Sequence, residues 1–129
     1  REEPMNVTGP LIALIAAATT ANGLLAGRVY PGVLKQTSTY PAAAINITGV
    51  YPFNTKTGAS DLDSVLIQID TYGTTFSSAA AADEAIRGAL DYKSSGALDH
   101  IEYQRTIDGL SEKPELIRML SEYTIMLRR

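Results

Sequence analysis

The residues of this chain best suited to proton transfer are His100, its one histidine, and Glu102. They stand two positions apart in a segment, residues 98–107, whose alternation predicts a strand with four polar residues on one face: His100, Glu102, Gln104 and Thr106. On a shared face, an imidazole and a carboxylate could work as a general acid and base. Because the sequence shows neither an activated nucleophile nor a third orienting group beside them, a small α+β ligand-binding domain or enzyme using His100 and Glu102 is a distant alternative.

Other chemistries are excluded or weakly supported by the residue types. Cysteine is absent, which excludes disulfides, thiolate metal sites and a cysteine nucleophile, and one histidine cannot form a histidine metal cluster within a subunit. Asp61 and Asp63 share a strand face and could hold a hard cation, but solvated acids at the start of an exposed strand are the favoured interpretation. The glycines are scattered singly and match neither a dinucleotide loop nor a phosphate loop. We therefore predict no enzymatic activity, no cofactor and no metal.

Charge and hydropathy argue against a grip on nucleic acid and against membrane insertion. The 11 basic and 14 acidic residues give a net charge of −3, and the basic ones are dispersed between acids. The longest apolar run, residues 11–18, is far shorter than the roughly 20 residues that a bilayer span needs. Arg1 is followed by two acids, where a signal peptide would have a basic region. For a chain of 129 residues we expect one domain, residues 1–129, and no membrane partner.

The first half of the chain predicts a helix, a short strand and a β-hairpin. The helix begins near Thr8 and Pro10 and stops at Asn22-Gly23. A short extended piece over residues 28–32 ends in a Pro-Gly turn. Two alternating strands follow, over residues 42–51 and 61–72, separated by a polar loop over 52–60 in which residues 54–58 link the strands.

An alanine-rich segment, residues 76–92, predicts the second helix. Ser77 and Ser78 are its candidate caps, and Asp83 and Glu84 sit early, where the helix dipole favours acids. Small and apolar residues recur at helical spacing and define the packed face, namely Ala79, Ala82, Ile86, Ala89 and Leu90. This pattern places four charged residues outside the packed face: Asp83, Glu84, Arg87 and Asp91.

The last third of the chain predicts two more strands. The strand over residues 98–107 is followed by a polar loop over 108–114. Residues 116–127 fit either a helix or a strand, and Tyr123-Thr124-Ile125 favours the strand. Because strands run in succession instead of alternating strictly with helices, we predict an α+β fold: an antiparallel β-sheet packed by two helices, with an extended β-hairpin.

An ordered string of short motifs runs through these elements. It comprises Arg28-Val29-Tyr30-Pro31-Gly32, Gln36, Pro41-Ala42-Ala43-Ala44-Ile45, Val65-Leu66-Ile67-Gln68-Ile69-Asp70-Thr71-Tyr72, Thr74, Phe76 and Ala85-Ile86-Arg87-Gly88-Ala89-Leu90-Asp91. In this order the string resembles the tail-completion, or tail-terminator, family of long-tailed bacteriophages and of phage-derived gene transfer agents. The residues that carry the resemblance are Arg28, Val29, Tyr30, Pro31, Gln36, Pro41, Gln68, Asp70 and Tyr72. The chain departs from the family at Leu34-Lys35, where a proline is more usual, and at Ala43-Ala44, where bulkier residues are common.

The resemblance implies a structural role in a virion or virion-like particle. It implies a homo-hexameric ring at the head-proximal end of the tail, assembled in the bacterial cytoplasm, which stops tail-tube polymerisation and docks the neck of the filled head. Its partners would be the tail-tube protein and the head or neck connector proteins, with DNA only passing through the lumen. A head-tail joining protein of the neck is the nearest alternative. At the hairpin tip, the candidate interface residues are Phe53, Asn54, Lys56 and Thr57.

Overall fold

The computed structural model describes residues 8–32, 40–55, 58–94, 98–109 and 116–128. In chain order the elements are α1 (Thr8–Ala17), α2 (Thr19–Leu25), β1 (Val29–Pro31), β2 (Ala42–Thr55), β3 (Gly58–Gly73), α3 (Phe76–Leu90), β4 (Leu98–Gly109) and β5 (Ile117–Arg128). The predicted order of helix, short strand, hairpin, helix and two strands is therefore confirmed. The predicted first helix is divided into two, so the described residues contain three helices.

The five strands form one sheet in the order β1-β2-β3-β5-β4. The neighbours β2–β3, β3–β5 and β5–β4 are antiparallel, and the short edge pair β1–β2 is parallel. The α+β class is thus confirmed, with one parallel pair that makes the sheet mixed.

Helices pack against one face of the sheet, here called the inner face. On β3, Val65, Ile67 and Ile69 are at most 1% exposed and point into the core with the apolar side chains of α1, α2 and α3. Asp63 shares this face and is also buried, so its predicted solvation is wrong. The opposite side, the outer face, is free of described helices and carries Gln68 among the alternate residues of β3.

The first helical segment breaks at Ala18, which has extended backbone angles. Within the described residues no single helix is long and apolar enough to cross a membrane, and α1 and α2 meet that test only as a pair bent by 100°. The predicted stop at Asn22-Gly23 is wrong, because α2 continues to Leu25 and ends at Ala26, whose φ is 48°. Leu25 is fully buried, and its contact with the core outweighs the weak helix propensity of Asn22 and Gly23.

The two strands of the hairpin are longer, and the loop between them is shorter, than the composition predicts. The backbone pairs Phe53 with Leu62 and Thr55 with Gly58, so the predicted loop over residues 52–60 is wrong except at its centre. The linking residues 56–57 lie outside the described part of the chain. Turn-forming residue types were misleading here because each strand supplies the other with backbone hydrogen bonds.

The second predicted helix, α3, is confirmed, with corrected ends. Its cap is Thr75, two residues before the first candidate, Ser77: Thr75 Oγ1 accepts from the Ser78 N–H at 3.1 Å, and Ser78 Oγ accepts from the Thr75 N–H at 3.3 Å. This reciprocal capping box fixes the start of the helix. The helix ends at Leu90 instead of Tyr92, whose φ of 62° is incompatible with a continuing helix.

The ambiguous last segment is the strand β5, as predicted. It lies between β3 and β4 and pairs with both over most of its length. A helix there would leave the facing edges of two strands unpaired, so the sheet decides between two local patterns. β4 extends past the predicted end to Gly109, and the rest of the predicted loop, residues 110–114, lies outside the described residues.

Candidate interaction surfaces and a buried polar cluster

Arg28 ties three elements together through backbone carbonyls. Its Nε donates to the Pro41 carbonyl at 3.0 Å and its Nη2 donates to the Leu24 carbonyl at 3.3 Å. The Arg28 carbonyl in turn accepts from the Ala43 N–H at 2.9 Å. The guanidinium therefore joins the end of α2 to the start of β2, which gives the first motif a structural role in positioning the sheet edge.

The remaining motif residues near this edge are divided between the two sides of the sheet. Val29 is buried in the core, whereas Tyr30 is half-buried on the outer face. Pro31 is the last residue of β1, and Pro41 lies directly before β2. Gln36 lies outside the described residues. The first motif thus supplies a core side chain (Val29), a half-buried aromatic side chain (Tyr30) and the last residue of a strand (Pro31).

Gln68, Asp70 and Tyr72 share the outer face of β3, as the strand periodicity predicts. Arg118 on β5 approaches them, with Nη2 3.2 Å from Asp70 Oδ2. Gln68 Nε2 donates to Asp70 Oδ1 at 3.1 Å. The Asp70 side chain is only 8% exposed, so the second motif builds a largely buried ion pair that links β3 to β5. Sequence analysis missed Arg118 because its register against β3 depends on strand order.

The outer face exposes apolar side chains among charges that are already paired. Tyr51, Leu66 and Ile107 are 54%, 36% and 42% exposed. Arg105 Nε lies 2.7 Å from an oxygen of Glu122 on the neighbouring strand. The described part of the outer face thus combines singly exposed apolar side chains with an ion pair internal to the sheet.

His100 and Glu102 lie on this outer face, where their backbones pair with β5. The His100 ring tilts against the ring of Tyr92 with 5.8 Å between centroids. Thr106, however, points to the inner face, because the register shifts between Tyr103 and Arg105. The prediction that these four polar residues share one face therefore holds for His100 and Glu102 but is wrong for Thr106. A β-bulge inserts one residue between Tyr103 and Arg105 and reverses the alternation after it.

β4 is an edge strand of the sheet, and part of this edge is covered by residues of the same chain. The Ile101 N–H donates to the Lys93 carbonyl at 3.1 Å, and the Ile101 carbonyl accepts from the Tyr92 N–H at 2.8 Å. The Tyr103 N–H donates to Asp91 Oδ1 at 3.0 Å. In the described part of the chain, these bonds leave residues 104–109 as the uncovered length of this edge. An uncovered strand edge is a template for pairing with another chain.

A buried polar cluster joins α3 to β4 and β5. Asp83, predicted to lie outside the helix face, is 7% exposed and points into the sheet. Ser121 Oγ donates to Asp83 Oδ1 at 2.6 Å, and Thr106 Oγ1 lies 3.3 Å from Asp83 Oδ2 and 2.7 Å from Ser121 Oγ. Tyr103 Oη lies 2.6 Å from Thr106 Oγ1. We call these four residues the hydroxyl network.

A sequence signal for the burial of Asp83 was present but was overridden by residue type. Asp83 follows Ala79 by four positions and precedes Ile86 by three, which is the spacing of the packed face. Burial raises the pKa of its carboxyl, an effect that the hydrogen bonds from Ser121 and Thr106 oppose. Burial also raises the pKa of Tyr123, and the nearby Asp83 carboxyl adds to that shift.

The acidic and histidine side chains of the described residues are the candidate metal ligands. None of their histidine, aspartate and glutamate side chains form a group of three suited to a metal. Asp61 and Asp63 were the two acids that could hold a hard cation. Asp63 is buried on the inner face, and the side chain of Asp61 is not among those that the structure describes. The side chains of the four predicted hairpin-tip residues are likewise outside the described part of the structure. The backbones of Phe53 and Asn54 belong to β2, and Lys56 and Thr57 are not described.

The comparisons with known proteins concern the fold. No protein-family model and no curated protein sequence matches the chain. The structure is similar to a chain in the solved virion of a native gene transfer agent particle, with a TM-score of 0.72 and 21% sequence identity. The similarity covers 92% of each chain. Identity at this level shows a shared fold, and the shared fold extends over nearly the whole of both chains.

Proposed function

We propose that this chain is a structural subunit of a phage-type particle, and specifically its tail terminator. In that role it forms a homo-hexameric ring at the head-proximal end of a long tail, ends tail-tube polymerisation and docks the head or neck. The observation that carries the proposal is the nearly end-to-end fold similarity to a chain of a gene transfer agent virion. The ordered motif string from Arg28 to Asp91 supports the narrower assignment.

Ring closure requires two different surfaces of each subunit to meet. The sheet has two unlike edges, the three-residue β1 and the twelve-residue β4. On β4, residues 104–109 combine an edge that the described chain leaves uncovered with the exposed side chain of Ile107. We infer that this stretch contacts the neighbouring subunit.

The hairpin formed by β2 and β3 is the proposed contact with the tail tube or the neck. Pairing between β3 and β5 ends at Leu62 and Arg128, while β3 begins at Gly58. Four further residues at about 3.4 Å each carry the hairpin roughly 14 Å beyond that pair. The interface residues predicted there are Phe53, Asn54, Lys56 and Thr57, and they remain a proposal.

DNA would pass through such a ring without being held. Binding DNA requires lysine or arginine to neutralise phosphates. Arg105 and Arg118 on the outer face are each engaged by an acid of the same face. A sheet face with self-neutralised charges is therefore compatible with a channel wall.

Particles assembled without this protein test the function. Overlong or unfinished tails in electron micrographs would support the terminator. Tails of normal length that fail to join filled heads would assign the chain to the neck instead. Assembly and infectivity that survive His100→Ala would remove the enzyme alternative built on His100 and Glu102.

The edge interface has its own test with a matched control. Ile107→Asp places a charge on the uncovered edge, and we expect native mass spectrometry to show loss of the ring, alone or on tail tubes. Leu24→Asp is the control, because Leu24 is 37% exposed, close to the 42% of Ile107, but lies on α2. Rings that persist in Ile107→Asp would contradict the edge interface, and failure of the wild-type chain to form any ring would contradict the hexamer.

A further inference from the structure

The hydroxyl network contains more oxygen contacts than its hydroxyl groups can fill with protons. Four contacts of 2.6, 2.7, 2.6 and 3.3 Å join Asp83, Ser121, Thr106 and Tyr103. Each hydrogen bond needs one proton, and each hydroxyl carries one. Three hydroxyls therefore supply three protons for four contacts. If Asp83 is ionised, one pair of oxygens faces each other without a proton between them.

A proton on the Asp83 carboxyl fills the missing position. The acid donates from Oδ2 to Thr106 Oγ1, Thr106 donates to Ser121 Oγ, and Ser121 donates to Asp83 Oδ1. Tyr103 then donates to the remaining lone pair of Thr106. Every contact has one proton, and no hydroxyl donates twice. The geometry is thus complete for a neutral acid and incomplete for a carboxylate.

The charge of Arg87 favours the ionised form of Asp83, but this cation is engaged by other groups. Arg87, one turn further along α3, lies 3.9 Å over the Tyr103 ring and pairs with Asp91 at 3.8 Å. Asp83 sits two turns inside α3, too far from the helix start at Thr75 to benefit from the positive end of its dipole. An ionised Asp83 would therefore be a buried charge without a close counter-ion, which is unfavourable.

The other titratable groups near Asp83 come from every element that packs on α3. Neither α1 nor α2 contains a titratable side chain. On β3, Asp63 lies six residues along the strand from Ile69, which pairs with Ser121. The described groups on α3 and its C-cap, β4 and β5 are Glu84, Arg87, Asp91, Tyr103 and Tyr123. Tyrosine keeps its proton across the acid and neutral range, and most of the rest are acids that disfavour a second negative charge.

We propose that Asp83 is a neutral carboxylic acid in the folded subunit, and that its proton locks α3 onto β4 and β5. The lock closes at acid pH and opens as the pH rises and the proton leaves. Opening removes one of four hydrogen bonds and buries a charge at the centre of the contact. The device lies within the subunit, so it does not depend on the proposed function.

Nuclear magnetic resonance of the wild-type subunit with ¹³C-labelled aspartate and glutamate measures this proton directly. We expect the Asp83 carboxyl resonance to shift at a higher pH than that of an aspartate in an unfolded peptide. The amide protection of α3 should fall over the same pH range. An Asp83 resonance that titrates together with that reference aspartate, or below it, would overturn the proposal.

Asp83→Asn tests the consequence for stability. The folded state binds this proton more tightly than the unfolded state, so stability is greatest below the unfolded pKa and is lost as pH rises through the folded pKa. Each pH unit between those two values multiplies the unfolding equilibrium constant by about ten. Asparagine keeps an N–H donor without a charge, so the variant should lack this pH dependence. Glu84→Gln, one residue away, should retain it, and equal pH dependence in wild type and Asp83→Asn would overturn the lock.

Discussion

Replacing Gly73 by alanine tests how closely β3 approaches the start of α3. A Cβ atom at Gly73 would lie 2.5 Å from Ser78 Oγ, 2.7 Å from the Ala79 nitrogen and 3.0 Å from Ala79 Cα. The serine hydroxyl can rotate, but the backbone nitrogen of Ala79 belongs to the first turn of α3 and cannot. Gly73 does not have the left-handed backbone angles that would favour glycine, so only the missing space matters.

The magnitude has two contributions. Overpacking at a rigid site costs about 1 to 3 kcal/mol. Moving Ser78 also breaks its reciprocal bonds with Thr75, and loss of a helix cap costs about 1 kcal/mol. We therefore expect Gly73→Ala to lower the free energy of unfolding by roughly 2 to 4 kcal/mol. With a urea m-value of about 2 kcal/mol/M, the unfolding midpoint should fall by about 1 M or more.

Gly88→Ala is the matched control, because it makes the same change at a position inside α3, the helix that Gly73 approaches. A Cβ at Gly88 has no other atom within 4 Å, and the position is exposed in the interior of α3. Alanine should stabilise this helix by about 0.5 to 1 kcal/mol. Urea unfolding followed by circular dichroism measures both variants. An unchanged midpoint in Gly73→Ala, or an equal loss in both variants, would refute the steric reasoning.

Four further predictions use the same urea assay. Arg28→Ala removes two bonds to backbone carbonyls and should lower the unfolding free energy by about 1 to 2 kcal/mol, unlike a neutral surface substitution. Asp70→Ala leaves Arg118 without its carboxylate at a largely buried site and should cost about 2 kcal/mol. Arg105→Ala breaks a shorter but exposed ion pair and should change stability little, so a large loss there would contradict the role of burial. Tyr92→Gly relieves a left-handed backbone and should gain up to about 1 kcal/mol, a gain that a purely apolar role of the ring would not produce.

Periodicity in the sequence predicted the elements that bury a regular face. The alternation of Val65, Ile67 and Ile69 located β3, and the small residues of α3 located the helix that packs on it. Both succeed because a side chain's distance along the chain determines its face once the element type is known. The position of Gln68, Asp70 and Tyr72 on one face follows from the same rule.

Features that depend on a second strand were not predictable in this way. The hairpin extends through Thr55 because β3 pairs with it, although the local residues are those of a loop. The side chain of Thr106 reverses its face because of a bulge that is defined by two registers against β5. Neither the partner nor its register is encoded in one local window.

The N-terminal elements show a similar limit. Apolar residues from Leu11 onward predicted helix, and helix is found, but the break at Ala18 is absent from the pattern. Two helices bent by 100° bury Leu11, Ile15 and Leu25 against the same core. The bend is thus a property of the surface on which the helices pack.

Composition and periodicity by themselves determined the α+β class, the order of elements, and the absence of thiol or histidine-cluster chemistry, because residue types and their spacing are local properties. Tertiary structure alone decided that Asp83 is buried, that its carboxyl meets Ser121 and Thr106, and that Asp70 pairs with Arg118. Those contacts join residues far apart in the chain, and they exist only after strand order brings β5 between β3 and β4. An aspartate looks like a surface residue in a sequence because an unpaired charge avoids burial, and the packed sheet reverses that expectation by supplying hydroxyl partners.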